Sequence, residues 1–526
     1  MTHSGAGVSS GEKGEPSRDD RVTTPRSRIS HDTLVNFTGQ GIAAVAALVC
    51  APFVVHAVGI DRFGLLSLVW VVVGYFSILD FGFGPAVTRS VSAAVSGGQR
   101  WRVPSLFWAA NRIQLYLSAA GTLALGFATP ALVNLVLNVP APLRGEATIS
   151  LYMCALGLPA VVMSSSVIGL LQAARRFDLT NAVQVPLSVS QFVVPLACAL
   201  VWPNLPFIVA TLLLSRVVAL VALFYLAFRV FPELSGGQPR DPEAWRSLAT
   251  FGGWITVSSI ISPLMVYADR FLLGHLRTLA VVSYYSVPSD AATRLLIVPR
   301  SLFPVLFPVF SGSQDPVASS DIAARALKYT LILVGLPVVV LIVLAGTIMT
   351  VWMGPTFAAE STRAFQILLV GITLNSLAYV PSALTQAAGR ADVTAKLHMI
   401  ELPLYALVAY GAIDRWGING AAAAWLLRML CDLALLLVVG WRVAGLSPSR
   451  ILDYRLPQLA VGWLTLGAFA VLADLSTDRT SLKLLLAAAV AATGMIGIRL
   501  FFLRRDDLER ISGMLTAIRY SLSRKS

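Results

Sequence analysis

The sequence predicts an all-α polytopic membrane protein of about fourteen transmembrane helices, arranged as two six-helix halves and a C-terminal pair. Three observations predict it. Of the 526 residues, 56% are hydrophobic and 13% charged, and mean hydropathy is +0.75. A soluble globular chain carries about 25% charged residues, so this one is solvated by lipid. Apolar runs of about 20 residues, long enough to cross a hydrocarbon core, recur from residue 34 to residue 503. The connectors between them alternate in charge, as the two sides of a membrane require.

Taken in order, residues 1–33 are polar, rich in Gly, Ser and charge, and read as a disordered cytoplasmic tail. No charged n-region leads into a short apolar run with a small-residue cleavage site, so no signal peptide is expected. Spans centred on 34–57, 63–87, 104–128, 148–173, 180–202 and 206–229 form an N-terminal lobe over 34–230. The longest connector follows, a cytoplasmic linker over 231–246 with the sequence FPELSGGQPRDPEAW near the middle of the chain. Spans at 249–275, 279–303, 328–351, 364–388, 394–414 and 418–441 form a second lobe over 247–444. Two more, at 458–474 and 482–503, lie within 445–505. In 506–526, Leu508, Ile511, Leu515, Ile518 and Leu522 recur every three or four residues among Arg510, Arg519, Arg524 and Lys525. That pattern is an amphipathic helix for the anionic inner leaflet or for packing on the bundle.

Charge placement orients the chain. Of its 40 Lys and Arg, only Arg62, Arg144, Arg277, Arg363, Arg415, Arg479 and Lys483 fall in the outer connectors. Five more lie within spans, and the remaining roughly 28 fall on the inner side. Both termini are therefore expected in the cytoplasm, and the net charge of +13 is a matter of topology rather than of nucleic-acid binding. The halves echo one another weakly. Phe37-Thr38-Gly39-Gln40 opens one and Phe251-Gly252-Gly253-Trp254 the other; Asp80 precedes Arg89 much as Asp290 precedes Arg300. Two repeated bundles with a site between them are the transporter pattern.

No enzyme, metal or cofactor signature is present. Asp80-Phe81-Gly82 matches a kinase magnesium triplet but lacks a phosphate loop and partner lysine. Asn36-Phe37-Thr38 matches a glycosylation acceptor at the start of a span, where no transferase reaches. None of the five His pairs with a second ligand at useful spacing. Cys50, Cys154, Cys198 and Cys431 all sit in apolar runs and read as core packing.

The informative constellation is the set of charges at membrane depth, where an Arg or Asp costs about 2.5 to 3.5 kcal/mol. Asp290 and Arg294 are four apart on one helix face, as are Arg428 and Asp432. As structural elements these are intrahelical salt bridges that let each helix insert. As functional elements they face a wet cleft and meet a charged cargo or coupling ion. Arg216 lies well inside its span with no acid three or four residues away; Arg112 lacks one too, but is near enough to the cytoplasmic surface to snorkel. Asp80 and Glu401 are acids in the cytoplasmic part of their spans. Arg216, Arg294, Asp290, Arg112, Arg428 and Asp432 are the cavity candidates.

Ala51 to Ser92 carries a resemblance. Gly59-Ile60-Asp61-Arg62-Phe63-Gly64 matches a Gly-x-x-x-Phe-Gly turn, followed by Asp80-Phe81-Gly82 and Arg89. Phe251 to Trp254, Pro263 and Asp269-Arg270 continue it, as does the Tyr-x-x-Pro run that ends in Leu-Phe-Pro between Tyr284 and Pro308. Over about residues 34 to 440 this resembles the Wzx-type O-antigen and exopolysaccharide flippases of the multidrug/oligosaccharidyl-lipid/polysaccharide exporter superfamily. The resemblance implies two six-helix lobes in a V and two extra helices. The cargo it implies is an undecaprenyl-diphosphate-linked oligosaccharide turned to the outer leaflet of the bacterial inner membrane. A polysaccharide polymerase or export machinery is then a partner. Asp80, Arg89, Asp269 and Arg270 transfer as motif positions without assigned roles. A peptidoglycan-precursor flippase and a drug/cation antiporter of the same superfamily remain alternatives. A polysaccharide polymerase or ligase is a third, though it would need a large external loop that this chain lacks.

Overall fold

The computed structural model describes residues 25–78, 83–236, 265–312, 315–477 and 479–502. Every predicted span meets a helix there, and no strand occurs among the described residues. The N-terminal bundle holds α1 (Pro25–Val58), α2 (Ile60–Ile78), α3 (Phe83–Ser96), α4 (Val103–Ala131), α5 (Arg144–Ala173), α6 (Phe177–Val201) and α7 (Leu205–Val230). Within it α5 packs on α2, α3, α4 and α7, while α6 packs on α1 and α7. The second bundle holds α8, described over 265–276, then α9 (Leu279–Thr293), α10 (Ile297–Gly312), α11 (Pro316–Met353), α12 (Pro355–Ala387) and α13 (Ala391–Ala444). Its centre is α12, in contact with α9, α10, α11 and α13. The short α14 (Pro448–Asp453) leads to α15 (Leu456–Ser476) and α16 (Thr480–Gly497), which lie against α11.

Ten stretches among the described residues are long and apolar enough to cross a membrane. The expected count of fourteen is not reached among the described residues. At Gly417, φ +56° and ψ −131° break α13 into a hairpin that supplies both the 394–414 and 418–441 spans. Only a residue without Cβ takes that backbone cheaply. The 279–303 span is α9 and α10 joined by a 3₁₀ turn, Arg294–Leu296. The 63–87 span is α2 and the start of α3, with 79–82 outside the described residues, and the first part of the 249–275 span also lies outside them.

The outer surface is apolar because its solvent is hydrocarbon: Phe127 (83%), Val201 (83%) and Val351 (81%) are almost fully exposed. Three expectations need correcting. The helix of the first span already includes Pro25, inside the stretch expected to be a disordered tail. Cys431 is exposed rather than packed in a core, unlike Cys50, Cys154 and Cys198. Lys483, counted with the outer connectors, is buried in a 2.5 Å ion pair with Asp474. The 506–526 amphipathic segment lies outside the described residues.

One end of the molecule is sealed. Ser283 Oγ donates to the Ile60 carbonyl at 2.6 Å, and α2 packs along α9. Asn138 of the first bundle donates from its backbone to Gly274 O at 2.9 Å and from its side chain to His275 O at 2.6 Å. At the same end Arg62 holds Glu146 at 2.7 Å, and Glu146 also accepts from the first backbone N–H of α7, where the helix dipole favours an anion.

Candidate functional site

A cavity of about 550 Å³ lies between the bundles, toward the end at which α6 begins. On α6, Asn181, Gln184, Ser188 and Gln191 line it. Their spacing of three and four puts all four on one helix face. The opposing wall carries Asp269 and Arg270 from α8, Asp290 from α9, Arg294 from the 3₁₀ turn and Arg300 from α10. Asn375 and Tyr379 of α12 and Arg428 of α13 complete it. Four arginines face two aspartates, so the lining carries a positive excess.

The charges are not equivalent. Arg270, whose side chain is 6% exposed, meets Asp290 at 2.5 Å, and Asp290 is 43% exposed toward the cavity. Asp269 is buried and accepts from Tyr285 Oη at 2.5 Å and from the Arg270 backbone N–H at 2.8 Å. Arg270 pairs with Asp290, and the Tyr285 hydroxyl holds Asp269, which fixes this part of the wall. Arg294 instead lies 5.5 Å from the Phe192 ring, with no acid in ion-pair reach among the described residues. Among the described residues Arg300 Nε reaches Tyr379 Oη, at 3.5 Å. Arg428 donates to the Met265 carbonyl at 2.9 Å. A planar guanidinium fork matches two phosphate oxygens at once, and the amides and hydroxyls of α6 match the hydroxyls of a sugar.

Of the residues singled out in the sequence, Asp290, Arg294 and Arg428 line this cavity together with Asp269 and Arg270. Neither expected intrahelical pair forms. Asp290 pairs with Arg270 because the helix tightens to 3₁₀ at Arg294 and turns that side chain away. Arg428 turns to Met265 O and, at 3.9 Å, to Glu401, while Asp432 lies 3.5 Å from His398. Asp432 is thus outside the cavity. Arg216 lines a small pocket behind the wall with Trp70 and Gln191, which themselves face the cavity. Arg112 is exposed, with Nε donating to Trp108 O at 3.2 Å. Arg89 is exposed on α3, and Asp80 lies outside the described residues.

Sequence reasoning missed the α6 stripe and Arg300. A polar face recurring at three and four residues within an apolar span was the available signal; a search for charges alone passes over it. The reading of the histidines also needs correction, since His398, Glu401 and Asp432 bring a ring nitrogen and two carboxylates within 4.8 Å of one another.

A second, larger cavity of about 1080 Å³ runs beside α11, α12, α15 and α16. Its lining is largely apolar, with Gln366, Asp474 and Lys483 joined at one end. The helix α12 divides the two spaces: Asn375 and Tyr379 face the first, Thr373, Leu374 and Leu377 the second.

Comparison with known proteins agrees with this architecture. The family model described as "Polysaccharide biosynthesis protein" matches residues 29–314, more than half of the chain. A Shigella flexneri protein named as a candidate O-antigen transporter is 26% identical over 411 residues, which cover 78% of this chain and 96% of that one. The Bacillus subtilis membrane protein EpsK is 25% identical over 407 residues, covering 74% and 78%. Among solved structures, the lipid II flippase MurJ in an inward closed conformation superposes with a TM-score of 0.67 at 12% identity, over 89% of this chain and 99% of that one. An inward-facing multidrug resistance MATE transporter gives 0.65 at 14% identity, over 80% and 98%. The fold is that of these transporters.

Proposed function

Because this chain belongs to the polysaccharide biosynthesis protein family, we propose that it is a flippase for an undecaprenyl-diphosphate-linked oligosaccharide. It turns that cargo from the cytoplasmic to the outer leaflet of the bacterial inner membrane, by alternating access of the two bundles and with an ion gradient as the drive. The observation that carries the reading is the composition of the cavity, with Arg294, Arg300 and Arg428 opposite the amide and hydroxyl face of α6. The arginines are suited to the diphosphate and the α6 face to the glycan, while the polyprenyl chain stays in hydrocarbon. With the basic connectors on the cytoplasmic side, the sealed end is the outer one and the cavity belongs to the cytoplasmic half. No covalent step is required of any residue, which sets this reading apart from a polymerase or ligase.

Deleting the protein tests it. Such cells should still make the lipid-linked glycan and should accumulate it on the cytoplasmic leaflet, where an impermeant glycan-modifying reagent added outside cannot reach it. Loss of lipid-linked glycan synthesis would instead place the protein among the biosynthetic enzymes. Accumulation of the peptidoglycan precursor would reassign the cargo.

A further inference from the structure

Beside the cargo cavity, in the α13 hairpin, lies a second polar cluster. Glu401 and Asp432 are each 7% exposed. Both oxygens of Glu401 and Oδ1 of Asp432 lack a hydrogen-bond partner. His398 Nε2 stands 3.5 Å from Asp432 Oδ1, and Arg428 Nε stands 3.9 Å from Glu401 Oε2. With a neutral imidazole, the two carboxylates and one guanidinium carry a net charge of −1. An uncompensated charge at membrane depth is expensive, and one added positive charge makes the count even. A proton on Glu401 meets that count and leaves Arg428 without a carboxylate to hold it. The imidazole gives the set a nitrogen that a proton suits and that alkali ions, which prefer oxygen, do not.

Arg428 belongs to two spaces. It lines the cargo cavity and also an apolar pocket of about 360 Å³ that contains Glu401, Tyr405 and Cys431. Its guanidinium lies 5.4 Å from the Tyr405 ring. The groups facing Glu401 are His398 and Tyr405 from its own helix and Arg428 and Asp432 from the other arm of the hairpin. Asp269 of α8 and Tyr285 of α9 stand beyond Tyr405. We propose that His398, Glu401 and Asp432 form a proton-binding site whose occupancy is transmitted to the cargo cavity through Arg428. A proton on Glu401 removes the carboxylate charge that stands 3.9 Å from Arg428 and frees that guanidinium for an anion. Proton and anion therefore favour one another, and by linkage the effect is reciprocal. The transmitted half of this inference rests on the proposed diphosphate cargo; the proton site does not.

Two measurements on the full-length protein in lipid nanodiscs separate these parts. Without cargo, the melting midpoint of the wild type should vary between about pH 6 and about pH 9, because a proton bound by the folded state stabilises it. That variation should flatten in Glu401→Gln, and in Asp432→Asn should the first variant fail to fold. Equal pH dependence in wild type and variants overturns the proton site. So does a stabilisation by sodium over choline at fixed pH that is lost in Glu401→Gln, which would make the site a metal-cation site. Second, calorimetry with undecaprenyl diphosphate in buffers of different ionisation enthalpy counts protons taken up per lipid bound. The wild type should take up about one and Glu401→Gln about none. Binding without uptake in the wild type overturns the transmission through Arg428. Absence of binding, with the pH-dependent melting intact, leaves the proton site standing and overturns the diphosphate cargo.

Discussion

Arg270 and Arg294 border the same cavity, yet different forces hold them. Arg270 is buried and has Asp290 at 2.5 Å, so replacing it leaves Asp269 and Asp290 without their counter-charge. Arg270→Met should destabilise the fold by about 3 kcal/mol and lower the amount of folded protein, read as a drop in melting midpoint in detergent. Arg294 faces the cavity over Phe192, so Arg294→Gln should leave folded protein at wild-type level while glycan export falls. Arg294→Lys should restore part of it, since charge is kept and the fork is lost. Wild-type export by Arg294→Gln at normal protein level would remove Arg294 from the cargo site. Asp290 with Arg294 looks like a pair in sequence, but Asp290 with Arg270 is the pair in space.

At the scale of elements, the seal between the bundles depends on one turn. A Cβ built on Gly64 would stand 2.0 Å from the Leu279 carbonyl oxygen, so α2 approaches α9 as closely as it does only because that residue has no side chain. The neighbouring Phe63 is buried and packs edge-on against Trp70, with ring centroids 5.8 Å apart. Trp70 in turn lines the cavity between the bundles. The Gly-x-x-x-Phe-Gly turn therefore links the seal to the site. Gly64→Ala should push α2 from α9, and spin labels at the exposed Ala141 and Arg415, one on each bundle beside the seal, should report longer and broader distances. An unchanged distribution would show that the seal does not depend on this contact.

At the scale of the whole molecule, the two ends differ in charge and in closure. Arg62, Asn138, Glu146 and His275 meet at the sealed end, where connector charge is sparse. At the other, Arg100 lies 3.6 Å from Glu233, and Arg325, Asp321 and Tyr454 form one network. Reporter fusions after Arg102, Arg176 and Pro448 should read cytoplasm, and fusions after Arg144, Arg277 and Arg415 the outside. Opposite signals at any two of these sites would reverse the direction proposed for the cargo.

Much of this was legible in the chain because membrane insertion imposes strict local rules. An apolar run of the right length is a helix, since its backbone has no other partner in hydrocarbon. The helices at the predicted spans follow from that alone. The resemblance of the Gly59–Gly64 turn and of Asp269-Arg270 pointed to the transporter family. Which charges share a space was a different matter. Asp290 and Arg294 differ by four positions, but one 3₁₀ turn separates them, and Arg270 takes the aspartate from 20 positions away in the chain. Arg428 and Asp432 part because the hairpin at Gly417 presents Glu401 and His398 to them from the opposite arm. Helical spacing tells which residues lie on one face of a helix. Which charge finds which in a low-dielectric interior depends on the other helices brought alongside, and only the tertiary structure decided that.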